Sequence, residues 1–155
     1  MRRFWLVALA LMAVTTPAHA GDRLNVVASF SILGDLVRNV GGDRVNVTTL
    51  VGTDGDAHVY VPTPADAKRI ADAKLVFVNG LGLEGWLPRL VQSAGNKATI
   101  VTATTGIAPL KIGSDADPHA WQSPLNAKIY VANIRDALVA ADPADAEAFK
   151  SNANA

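Results

Sequence analysis

The 155-residue sequence contains no cysteine. That absence removes disulfides, thiolate metal sites, cysteine nucleophiles and a lipid-modified N-terminal cysteine together. Any metal ion must therefore be held by nitrogen and oxygen. Charge is scarce and balanced: 18% of residues are charged, with 14 Lys+Arg against 14 Asp+Glu. No clustered basic face is present, which argues against a nucleic-acid partner. Low-complexity tracts are missing and half of the residues are apolar, so the composition is that of a globular chain. Its length suffices for one domain that buries roughly two thirds of its unfolded surface.

There is also no apolar run of the roughly 20 residues that a membrane-spanning helix requires. The longest, Phe4–Val14, follows Arg2-Arg3 and is interrupted by Thr15-Thr16-Pro17, and Ala18-His19-Ala20 offers small residues at a cleavage site. Residues 1–20 therefore read as a signal peptide. The mature chain is expected to begin near Gly21, to be exported to the periplasm and to carry no membrane anchor. It is slightly acidic, because Arg2 and Arg3 leave with the leader.

What remains alternates strand and helix. Leu24–Ala28 is a buried strand, followed by a helix with Ile32, Leu33, Leu36, Val37 and Val40 on one face; Ser29 or Ser31 is placed to cap it and Gly41-Gly42 to stop it. Arg44–Val51 alternates in a strand pattern. Thr63, Pro64 and Asp66 mark the next helix start, with a cap, a proline at the first helical position and an acid three residues after the cap. Lys74–Asn79 is the third strand and Ala98–Thr102 the fourth. Between them, Leu83, Trp86, Leu87, Leu90, Val91 and Ala94 outline a helix ended by Gly95, with Pro88 tolerable only in its first turn. A short strand is possible at Leu110–Ile112. After Ser123-Pro124 a long helix carries Ala127, Val131, Ile134, Leu138 and Ala141 on one face. Pro143 interrupts it, and a last helix runs from Ala144 with Phe149 as its only large apolar residue. Such alternation predicts an α/β fold: a four-stranded parallel sheet with helices on both faces. Ligands of such sheets bind beyond the carboxyl ends of the strands.

Two loops on that edge repeat one order of residues. Asp56-Ala57-His58-Val59-Tyr60 leads to Thr63-Pro64, and Asp117-Pro118-His119-Ala120-Trp121 leads to Ser123-Pro124. The chain has three histidines, and His19 lies in the leader, so both others stand in this duplicated setting, 61 residues apart in sequence. A single loop histidine is an ordinary surface residue; two in matching loops at one sheet edge point to metal ligation. Neutral imidazole suits zinc, manganese, iron and copper alike. Asp56 and Asp117 fit two roles equally, as acceptors that orient the rings or as turn residues. Tyr60 and Trp121 are expected to pack as walls. Two imidazoles leave the ligand set short of the four of a structural zinc site.

Gly80-Leu81-Gly82-Leu83-Glu84-Gly85 satisfies the G-x-G-x-x-G pattern of a dinucleotide loop. It follows the third strand rather than the first, places Glu84 where a pyrophosphate would sit and has no acid about 20 residues on. These glycines read as turn and packing residues. A secreted zinc metallohydrolase also uses two histidines, a carboxylate and an open position. No His-Glu-x-x-His pair, Gly-x-Ser-x-Gly elbow or obvious general base supports it, and the chain reads as non-enzymatic.

The stretches Asp56–Pro64, Asn79-Gly80-Leu81-Gly82-Leu83-Glu84-Gly85-Trp86 and Asp117–Trp121 with Ser123-Pro124 together resemble the N-terminal lobe of periplasmic solute-binding proteins that feed zinc or manganese ABC importers. The resemblance covers essentially the whole mature chain. It implies a monomeric carrier with two α/β lobes joined by a long helix, with residues 21–140 as the first lobe and 141–155 as the start of an interlobe helix cut short. His58 and His119 would be the first two ligands of a cargo Mn2+ or Zn2+ ion, with Fe2+ as a further option. A Glu or His and an Asp from the second lobe would complete the set, and the partner would be an inner-membrane permease. A surface adhesin that retains the metal fold shares the same site. Two departures stand out: Val61 replaces a frequent Glu, and Gly113-Ser114-Asp115-Ala116 is short where zinc importers often carry a His-rich loop, which favours manganese.

Overall fold

A computed structural model describes residues 22–95 and 97–155; the expected signal peptide lies outside them. Strands β1 (Leu24–Phe30), β2 (Val45–Val51), β3 (Leu75–Val78) and β4 (Thr99–Thr102) form one parallel sheet in the order β2-β1-β3-β4. The predicted four-stranded parallel sheet is thus present, with β4 one residue shorter than expected. Helices α1 (Ser31–Gly41), α2 (Pro64–Ala71), α3 (Leu87–Ser93), α4 (Pro124–Ala141) and α5 (Ala146–Ala153) cover it.

Alternation along the strands assigns the faces. Val26, Ala28 and Phe30 of β1 and Leu75 and Phe77 of β3 pack with Leu33, Val37 and Val40 of α1, with Tyr130, Ile134 and Leu138 of α4 and with Phe149 of α5. The intervening Val27, Val76 and Val78 face Ile70 of α2 and Leu87 and Leu90 of α3. Each fully buried Val, Leu, Ile or Phe contributes about 1.5–3 kcal/mol, so both layers are held mainly by apolar contact.

Local chemistry explains where the helices begin. Thr63 caps α2 in a full capping box: its side chain accepts from Asp66 N, and the Asp66 carboxylate accepts from Thr63 N. Two expectations are revised. No side chain caps α1; Phe30 occupies the cap position, because the Ser29 hydroxyl is committed to donating to Glu84 at 2.6 Å. The helix expected from Leu83 begins only at Leu87, since Gly80, Leu81 and Gly82 all adopt positive φ (84°, 54° and 83°), which a right-handed helix does not admit.

A two-stranded antiparallel hairpin, β5 (Lys111–Ile112) with β6 (Asp115–Ala116), follows β4. It delivers Asp117, whose N–H closes onto Leu110 O at 2.7 Å. Beyond α4, Asp142 caps a short turn through Ala144 N, and α5 returns to the core, where Phe149 is fully buried. Asn152 donates to Val40 O at 3.0 Å, and Arg44 pairs with Asp145 at 3.3 Å. Among the described residues no helix is long and apolar enough to cross a membrane.

Candidate metal centre

In this strand order the chain proceeds outward in opposite directions from β1 and from β3, so a crevice opens beyond the carboxyl ends of these central strands. The loop after β2 brings His58 to that crevice, and the segment after the β5–β6 hairpin brings His119. Their Nε2 atoms stand 3.2 Å apart, with ring centroids at 5.2 Å and planes inclined by 52°. Two nitrogens bound to one tetrahedral ion at about 2.0–2.1 Å each are separated by about 3.3 Å. The paired imidazoles therefore already have the spacing of two ligands on one metal ion.

The two aspartates, equivalent in sequence, differ in place. Asp56 Oδ1 accepts the His58 N–H at 2.8 Å, closing a local turn. Asp117 Oδ1 accepts both the His119 N–H at 2.9 Å and the His119 ring Nδ1–H at 2.7 Å. These two bonds, the main-chain one foremost, hold the Asp117 carboxyl below the usual carboxylate range. An ionised carboxylate only accepts, so Nδ1 of His119 carries a proton, and in the neutral ring Nε2 is the nitrogen left with a lone pair on the side of His58. That is the carboxylate–histidine arrangement that orients metal-binding imidazoles.

The walls are aromatic, though only one of the two expected wall residues lines the cleft. Trp121 meets His119 edge-on at 5.3 Å and packs against Phe30 at 4.8 Å. Together with Gly52–His58, Leu83 and His119 it lines a cleft of about 450 Å³. Tyr60 instead acts as a strut: it packs on Trp86 at 5.1 Å and donates its hydroxyl to Asp66 at 2.8 Å. A larger groove of about 730 Å³ runs between α2 and α3 past Trp86 and Arg89, but both paired histidines line the smaller cleft. Val61, where a glutamate is frequent in the resembling family, is 79% exposed beside the equally exposed Val59.

Beneath the histidines lies a polar cluster that the sequence does not disclose as a unit, since Ser29 reads there as a helix cap, Asn79 as a strand end and Tyr130 carries no signal of its own. Glu84, almost fully buried, accepts from Asn79 N at 2.7 Å, Gly80 N at 3.1 Å and Ser29 Oγ at 2.6 Å. The main-chain amides that a dinucleotide loop would offer to phosphate are thus filled by the protein's own carboxylate. Asn79, with no exposed surface, donates through Nδ2 to Pro118 O at 2.9 Å, while Oδ1 accepts from the Tyr130 hydroxyl. An acid and an amide flanking a glycine turn at the end of an apolar strand were the available signal.

Among the described residues no group of three or more His, Asp, Glu or Cys converges as a metal-holding set. Among the described residues, the cleft thus brings together a pair of imidazoles and no larger set.

Fold and site together define the class: an α/β lobe with its ligand crevice at the switch point of a parallel sheet. The chain belongs to the family described as zinc-uptake complex component A, periplasmic, which matches residues 26–155. It is 40% identical to the manganese-binding lipoprotein MntA of Halalkalibacterium halodurans, across 98% of this chain and 53% of that protein. It is 38% identical to the iron-binding protein YfeA of Yersinia pestis, across 97% of this chain and 50% of that protein. Among solved structures, the Mn-bound periplasmic metal binding protein from Candidatus Liberibacter asiaticus superposes with a TM-score of 0.79 at 42% identity, covering 86% of this chain and 51% of that one. The chain spans about half the length of the relatives it matches.

Proposed function

We propose that this chain is the first lobe of an exported carrier that captures a divalent transition metal and delivers it to the permease of an ABC importer. The observation that carries the proposal is the 3.2 Å Nε2–Nε2 spacing of His58 and His119, delivered by two loops of duplicate sequence. The ion is cargo: it binds through neutral nitrogens and is released, with no chemical step. Two ligands from this lobe leave the remaining positions to a second lobe of the carrier.

Manganese or zinc is the proposed cargo, with Fe2+ as a third option. The short β5–β6 hairpin, which bears no histidine, and the relatives named for manganese favour manganese. Residues 1–20 would direct export to the periplasm and be cleaved there, leaving a monomer.

The deciding experiment is a calorimetric titration of Zn2+ and Mn2+ into the protein, alone and joined to its second lobe, with His58→Ala and His119→Ala as variants. The single lobe is expected to bind weakly and the two-lobed form tightly, and each substitution should abolish both. Binding is also expected to fall in acid, where protons compete for the imidazoles. Melting temperatures indifferent to manganese, zinc and iron, or binding that survives both substitutions, would refute the proposal.

A further inference from the structure

The turn 79–86 lies between the two histidine loops, and its ends make matching contacts. Asn79 Nδ2 donates to Pro118 O at 2.9 Å, and Trp86 Nε1 donates to Ala57 O at 2.8 Å. Those carbonyls belong to the residues immediately before His119 and His58. A carbonyl and the following N–H share one rigid plane, so each contact fixes the peptide plane from which a histidine departs.

The turn that carries both donors is itself rigidly held. Three successive positive-φ residues, Gly80, Leu81 and Gly82, fold the chain back so that Glu84 can accept from Asn79 N and Gly80 N. Thr104 Oγ1 donates to Asn79 O at 2.6 Å. Asn79 Nδ2 faces two carbonyl oxygens, Gly80 O at 3.0 Å and Pro118 O at 2.9 Å, which only accept, so the amide cannot flip, and its Oδ1 is left to accept from the Tyr130 hydroxyl. On the other arm, the Trp86 ring is braced by Tyr60.

From this juxtaposition we infer that the 79–86 turn is a gauge that sets the separation of the two imidazoles, with Asn79 and Trp86 as positioning residues. The inference rests on reading His58 and His119 as metal ligands, and it assigns a purpose to a glycine-rich motif whose first main-chain amides are taken by Glu84. Asn79 and Trp86 act through main-chain carbonyls and touch no ion.

The test uses Trp86→Phe, which keeps an aromatic ring and loses the N–H, and Asn79→Asp, which replaces the donor facing Pro118 with an acceptor. Val40→Ala, at the far end of α1, serves as a control for lost stability. Two quantities are read on the full chain: Zn2+ affinity by titration, and the nuclear Overhauser cross-peak between the His58 and His119 ring protons without metal. Loss of a partner that orients a ligand typically weakens metal binding about 10–100-fold. Each positioning variant is expected to weaken zinc about tenfold and to lose the cross-peak, while Val40→Ala lowers the melting temperature and changes neither. Should Asn79→Asp fail to fold, Trp86→Phe decides alone. A cross-peak that survives Trp86→Phe overturns the inference, whatever the zinc affinity does. A wild-type chain that takes up no zinc yet shows a cross-peak lost in Trp86→Phe would sink the metal reading and leave the gauge standing.

Discussion

Replacing Asp66 with alanine is expected to destabilise the lobe by about 2–3 kcal/mol at neutral pH. Its fully buried carboxylate accepts from Thr63 N, Thr63 Oγ1, Tyr60 Oη and Arg69 Nη1, each at 2.8 Å. Thr63 keeps its cap bond to the residue 66 N–H, but loss of the return bond of the capping box leaves the Thr63 N–H without its acceptor and costs about 1 kcal/mol. Leaving the half-buried Tyr60 hydroxyl without its acceptor adds about 1–2 kcal/mol. The Arg69 pair adds little, because the arginine is half exposed and such pairs contribute about 0–1 kcal/mol. For a lobe of this size the melting temperature should drop by about 10 °C. Burial by itself would raise the Asp66 pKa, but the hydrogen bonds from Thr63, Tyr60 and Arg69 outweigh it and bring the value below normal. A group whose folded pKa is depressed contributes stability that is complete above its unfolded value of about 3.9 and is lost as pH falls through the folded value. Urea unfolding of wild type and Asp66→Ala, followed by circular dichroism from pH 7 to pH 2.5, should therefore show a gap that is constant above about pH 4.5 and narrows below it. A gap under 1 kcal/mol at pH 7, or one that does not change in acid, would refute the reasoning.

Glu84→Gln should cost about 2–3 kcal/mol in urea unfolding, because a carboxamide cannot accept from Ser29, Asn79 and Gly80 together without turning its NH2 against one of these donors. Gly34→Ala should cost about 1–3 kcal/mol by overpacking, since a Cβ there would lie 2.5 Å from Thr49 Oγ1; Thr49→Ser in the same background, which keeps that oxygen, should rescue nothing, whereas Thr49→Ala should rescue most of it. Tyr130→Phe should cost about 1–2 kcal/mol at pH 8, when Asn79 Oδ1 loses its donor. Burial first and Glu84 second push the Tyr130 phenol well above its ordinary range. Its contribution is therefore intact below about pH 10 and lost as pH rises through the folded value, so the variant should unfold with a flatter dependence on alkaline pH.

Much of the lobe was legible because its signals are local. Period-two and period-3.6 patterns located the four strands and most helices, and the Thr63-Pro64-Asp66 start was read correctly because a capping box is complete within four residues. The duplicated Asp-x-His loops were legible for the same reason, and their meeting at one edge followed from the parallel topology. Contacts distant in sequence were not legible. Ser29 looked like a cap, but its partner Glu84 lies 55 residues away. Leu83 and Trp86 fit a helical spacing, yet the backbone signs at Gly80–Gly82 delay α3 to Leu87. Asp56 and Asp117 remained equivalent on paper because ring orientation, which separates them, is set by tertiary packing. The expected wall role of Tyr60 shifted for the same reason.

The turn beneath the histidines grips Ala57 and Pro118 by their main-chain oxygens, which every amino acid supplies. The side chains at these two positions make neither of those bonds, so replacements that keep the backbone path and fit where Ala57 packs against the core should keep the grip. Substitutions there should be tolerated far better than their closeness to the two imidazoles would suggest, whereas Asn79 and Trp86, which reach the histidines only through those carbonyls, should tolerate few. Proximity to the paired imidazoles and sensitivity to mutation are thus expected to run in opposite order in this crevice.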